Sequence, residues 1–137
     1  MRNINKPLLI GLVVSLFFNM CLVTKYLDHK EHEEEMEYKY LAAMGRISVG
    51  LREVTAEDSR GYIFAMEQAA NAAALVEFTP YPRSYSKGIY DSLKNLYLNH
   101  TKFKNGDELF RLLEKLSNNP HDEGSYFRIQ HILINSL

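Results

Sequence analysis

The chain has 137 residues, 16 Lys+Arg against 17 Asp+Glu, a net charge of −1 and a single cysteine. One cysteine excludes an intrachain disulfide. Setting aside Arg2, Lys6 and Lys25 leaves 13 basic against 17 acidic groups, near −4, which argues against a nucleic-acid partner because such binding needs a concentrated basic face.

The first element is an apolar run. Lys6 and Lys25 bracket Pro7–Thr24 with no charge between them. As a helix these 18 residues span roughly 27 Å, against a hydrocarbon core of about 30 Å. Lys6 and Lys25 can extend their charged ends outward, and Tyr26 stands where an interfacial aromatic would. A cleaved signal peptide would be shorter and end at a small-x-small site, whereas this run ends Phe18-Asn19-Met20-Cys21-Leu22-Val23. The reading is therefore a retained signal-anchor helix over 7–27, after a short tail at 1–6, with the bilayer as its first partner. Cys21 reads as a small apolar residue of the span, since Asn19-Met20 are not the small residues a lipidated cysteine requires. The short positive tail and the acidic segment that follows place the N-terminus in the cytoplasm and the C-terminal part outside it.

Gly11, Ser15 and Asn19 recur every fourth residue and form one stripe. Small residues let helices approach, and an amide in lipid gains from pairing with another, so this stripe is a candidate homodimer seam.

Residues 28–39 (DHKEHEEEMEYK) are too polar to bury and too rich in Glu and Lys to break a helix, so the anchor is expected to continue as a charged juxtamembrane helix. His29 and His32 lie one turn apart there and are a weak metal candidate. The H-E-x-x-H pattern is not completed, because Glu35 and Met36 follow where a second histidine would stand. Beyond, Met36, Tyr40, Met44, Ile47, Leu51 and Val54 recur at intervals of three and four, a helical stripe close to a heptad seam.

Residues 40–137 suit one hydrophobic core and hold no persistent strand-like alternation. Thr55-Ala-Glu-Asp58 reads as a capping box opening a second helix at about 56–78. That helix is Ala-rich and apolar nearly all round, as expected for one surrounded by others. Glu67 shares a side with Ile63, Ala70 and Ala74, and a carboxylate on a buried face needs a partner. With helices one and two antiparallel about Thr55, Glu67 falls near the level of Arg46, so an Arg46–Glu67 ion pair with Asn71 beside it is expected.

Thr79-Pro80-Tyr81-Pro82 ends the helix. Phe78, Tyr81, Tyr85 and Tyr90 then form an aromatic region that can seal a loop or offer a surface to a ligand or partner. Further helices are expected at about 84–100, with Ser84 or Ser86 as cap, from Asn105-Gly106-Asp107-Glu108 to Asn118-Asn119-Pro120, and at about 123–135. Asn99-His100-Thr101 matches a glycosylation sequon, a three-residue signal with meaning only in a eukaryotic secretory pathway.

No nucleophile elbow, phosphate-cradling glycine loop or extramembrane cysteine is present in the sequence. No cofactor is implied, and the carboxylate pairs stand at helix starts, where the helix dipole explains them. The fold expected is all-α, a single transmembrane helix continuing into a small bundle of about four to five helices. The function expected is non-enzymatic interaction or assembly in the cell envelope through a protein partner or a homodimer. The alternative is a small-ligand binding or sensing domain using residues 78–97 with Glu67 and Asn71.

Overall fold

The computed structural model describes residues 6–54 and 58–137, and the capping role expected of Thr55 lies outside them. Five α-helices are described: α1 Lys6–Arg52, α2 Arg60–Leu75, α3 Arg83–Leu98, α4 Gly106–Asn118 and α5 Glu123–Ile134, with a 3₁₀ turn Val76–Phe78 after α2. The class is all-α. The chain divides into two compact units, one ending at Glu35 and one running from Met36 to Leu137.

In the first unit, the side chains of α1 from Leu9 to Glu35 are all exposed. Thr24 Oγ1 donates to the Met20 and Cys21 carbonyls at 3.1 and 3.0 Å, so its hydroxyl is satisfied inside the helix. One window of 18 residues in this helix has a mean hydropathy of 1.8 and is long and apolar enough to cross a membrane.

In the second unit, the heptad-like stripe of α1 forms one wall of the core. Tyr40, Met44, Ile47 and Leu51 are buried, with Val54 packed at the edge. They meet Ala65, Ala69 and Ala72 of α2, Ile89, Leu93 and Leu96 of α3, Leu109, Leu113 and Leu116 of α4, and Ile129 and Leu133 of α5. Removing that much aliphatic surface from water, at about 1.5–3 kcal/mol per side chain, is what holds five short-looped helices together.

The α1–α2 pair is held close by small residues. Gly50 and Gly61 face each other: a Cβ on Gly50 would stand 2.8 Å from the Phe64 ring, and 2.9 Å from both the Ala65 nitrogen and the Gly61 carbonyl oxygen. Only the absence of both side chains allows the backbones to meet there. On its other side α1 meets α4, with Gly45 beside Ser117 and the Arg52 guanidinium 4.9 Å from the Phe110 ring centre.

One helix start and two caps differ from expectation. Helix α2 begins at Arg60 rather than near 56, and Asp58 accepts from the Arg60 backbone N–H at 2.9 Å. Helix α3 begins after Pro82, and Ser86 is fully buried inside it rather than capping it. Asn105 precedes α4 in the left-handed region at φ 54° and makes no side-chain cap bond. At α5, Asp122 Oδ1 accepts from the Ser125 N–H at 3.0 Å, a side-chain N-cap.

The end of α3 is a Schellman motif. His100 takes φ 51°, its N–H donates to Tyr97 O at 3.1 Å, and the Thr101 N–H donates to Leu96 O at 3.0 Å. The loop that follows is tied down by Tyr62 of α2, whose hydroxyl donates to Thr101 O at 2.9 Å and accepts from the Phe103 N–H at 3.2 Å. Ser136 Oγ accepts from the Lys104 N–H at 2.8 Å, linking the same loop to the residues after α5.

Candidate groove between the first two helices

Small side chains on both helices leave a groove on the outer side of the α1–α2 pair. It is open to solvent, about 400 Å³ in volume, and lined by Tyr38, Lys39, Ala42, Ala43 and Arg46 of α1 with Gln68, Asn71, Ala74 and Leu75 of α2. Three alanines form its floor and walls, so backbone lies near the surface along its length. Its polar groups are the Tyr38 hydroxyl and two cations on the α1 wall and two amides on the α2 wall.

Arg46 and Asn71 both line this groove, but Glu67, expected to pair with Arg46, does not point into the core. It is exposed, and among the described residues no ion pair joins it to Arg46. Ile63, Glu67, Ala70 and Ala74 do share a side, within an arc of about 60°. That side is the outward crest of α2, and all four residues are exposed. The buried arc is Gly61, Tyr62, Ala65, Gln68, Ala69 and Ala72. An exposed carboxylate on the crest keeps its hydration, whereas on the buried arc it would need a cation the packed alanines leave no room for.

Gln68, which with Glu67 and Asn71 interrupts the apolar surface of α2 in the sequence, is the polar residue that turns inward. It is buried and sits three and four residues from Ala65 and Ala72, so its place on the inward arc was there to be read. Tyr38, well exposed at the groove's end, was hidden by the charged segment around it.

The crests beside the groove are apolar. Val49 on α1 and Ile63 on α2 are each about half exposed (50% and 49%), and Phe64, Ala70 and Ala74 add to the same surface. Phe78, just beyond α2, is also exposed.

The aromatic region of residues 78–97 is mostly turned inward. Tyr81 lies with its ring centre 5.1 Å from that of Tyr40 and 5.3 Å from that of His121, and its hydroxyl donates to Glu37 Oε1. Burial first, and then the Glu37 carboxylate, push the Tyr81 phenol well up from its ordinary value. Tyr40 is buried beneath it, and desolvation raises its phenol to about 12, with Tyr85 adding to the rise. Tyr85 stacks on Tyr126 at 4.0 Å and 10°. Tyr90 is half-buried against the core. Phe78 is exposed, whereas Tyr81, Tyr85 and Tyr90 are turned partly or wholly into the packing.

His29 Nε2 lies 3.3 Å from Glu33 Oε1, one turn on, with both side chains largely exposed. Among the described residues, no group of three or more His, Cys, Asp or Glu is placed to hold a metal ion. Gly11, Ser15 and Asn19 are exposed on α1, with nothing within 4 Å of where a Gly11 Cβ would stand.

No protein-family model, no curated protein and no solved structure matches this chain.

Proposed function

We propose that the chain is a single-pass membrane protein, anchored through residues 7–27, whose helical bundle is a non-enzymatic interaction or assembly module of the cell envelope. The observation that carries the anchor is the 18-residue window of α1, which has a mean hydropathy of 1.8 and of which none is buried. A core helix of a soluble protein passes the same test of composition only by covering that surface with other elements. The same exposed row of Leu, Val and Phe, left in water, would form an apolar patch far beyond what soluble monomers carry.

The interaction role rests on the second unit alone. Its groove is shallow and open rather than an enclosed, ligand-sized cavity, and its crests carry exposed Val49 and Ile63. Small-molecule sites bury most of their ligand, while helix–helix docking uses an open apolar groove with small residues on its floor. The positive charges of Arg2 and Lys6 before the run, with the acidic segment after it, favour a cytoplasmic N-terminal side and a bundle on the other side of the membrane.

A photo-crosslinking residue at Val49 or Ile63, in the full chain in native membranes, tests the assembly role. Adducts of defined mass are expected from both positions. Recovery of the monomer alone, at both, would contradict the reading.

A further inference from the structure

Arg46 and Glu67 are both exposed, flank the same groove, and make no ion pair with each other or with any other described residue. The facing glycines set the register of the α1–α2 pair: with Gly50 opposite Gly61, Arg46 lies level with Ala65. Glu67 is two residues further along α2, about 3 Å along the helix axis. The cation therefore lies on the wall of one helix and the anion on the crest of the next, at nearly one height.

That arrangement is self-complementary. If two copies meet on this face about a two-fold axis parallel to α1 and α2, heights are preserved and the helices exchange neighbours. The α2 crest of one copy then lies against the groove of the other. Ala70 and Ala74 enter a groove floored by Ala42 and Ala43, Ile63 meets the partner near the level of Val49, and each Glu67 arrives within about 3 Å of the height of the partner's Arg46. Alanines on both sides allow close approach, and the charge pair recurs twice by symmetry.

Resting on the assembly reading above, we propose that the occupant of this groove is a second copy of the chain, with Arg46 of each copy paired to the partner's Glu67. The face carries both signs, Lys39 and Arg46 on α1 and Glu67 on the α2 crest, so it can pair with itself as a uniformly basic partner, or one lacking cations, could not.

The test uses the full chain in native membranes, in a Cys21→Ser background with Ala74→Cys as reporter. Ala74 stands both on the α2 crest and in the groove, so in the two-fold pair it lies near its counterpart. A disulfide-linked dimer is expected on mild oxidation. Arg46→Glu alone and Glu67→Arg alone each set like charges opposite one another at both positions, and each is expected to lower the dimer yield more than about tenfold. Mixing the two variants, carrying different tags, is expected to restore a hetero-dimer. In that mixed pair the two reversed side chains face each other with opposite charge, and the remaining Arg46 faces the remaining Glu67.

An intramolecular pair would behave differently, being restored by both changes in one chain and not by mixing. Absence of the disulfide dimer, insensitivity to the reversals, or failure of the mixture to recover would each overturn the proposal. Loss of this dimer together with Val49 or Ile63 adducts to another protein would overturn only the self-pairing. Loss of both would overturn the assembly reading as well.

Discussion

Gly50 and Gly61 meet backbone to backbone where α1 and α2 cross, and neither position has room for even a methyl group. The contact sets the height of every residue along the groove, including Arg46 and Glu67. Gly61→Ala forces a Cβ into the Gly50 backbone and Val54, neither of which is the yielding end of a flexible side chain. A loss of about 1–3 kcal/mol in stability is expected, read as a lower denaturant midpoint. An unchanged midpoint would mean that the two helices are not in this register.

His100 closes α3 in a conformation that costs an L-residue about 1–2 kcal/mol relative to the right-handed one. Its backbone bonds to Tyr97 and Leu96 require that conformation and not the imidazole. His100→Gly should therefore stabilise the bundle by about 0.5–1 kcal/mol, the strain relieved being partly offset by the looser unfolded chain. Thermal unfolding of the two proteins side by side checks this.

Tyr40 links stability to alkaline pH. Its phenol is raised to about 12 by burial and by Tyr85, so the neutral form is favoured in the fold. The contribution is fully present below the unfolded value near 10 and is lost as pH rises from there through about 12. Tyr40→Phe keeps the ring against Tyr81 and removes the titration. It should unfold at a higher alkaline midpoint than the parent, with little change at pH 7.

Asp122 acts at the acid end. Lys115, 2.7 Å away, and then the N–H and hydroxyl of Ser125, lower its carboxyl to about 2. Stabilisation from this cap is present above the unfolded value near 4 and is lost as pH falls toward about 2. Asp122→Ala should lower Tm by several degrees at pH 7 and by progressively less below pH 4. A constant deficit across that range would contradict the role given to the carboxylate.

How much of this was legible in the sequence varied with the pattern of each helix. The stripes of α1, α3, α4 and α5 have one apolar side each, and Tyr40, Ile47, Leu93, Leu113 and Ile129 fell inside as periodicity required. Helix α2 offers apolar residues on every side, so periodicity alone could not choose its inward arc. Glu67 was grouped with the right neighbours, Ile63, Ala70 and Ala74, on a side taken as buried that proved to be the crest. What decided the matter was the close crossing at Gly50 and Gly61, which turns the arc of α2 that carries Gly61, Ala65, Ala69 and Ala72 to the interior. A tertiary contact of that kind leaves no local pattern. The groove itself was not legible for the same reason: Arg46 and Asn71 were expected in an ion pair with Glu67, and no pattern in the sequence marked an open groove between the two helices.

The central claim is that residues 7–27 hold this chain in a bilayer without being removed. Alkaline carbonate extraction of native membranes, followed by mass measurement of the extracted chain, tests it most directly. A chain that still carries residues 7–27 is expected in the membrane pellet. A chain released to the supernatant, or one shortened by the mass of its apolar N-terminal run, would contradict it.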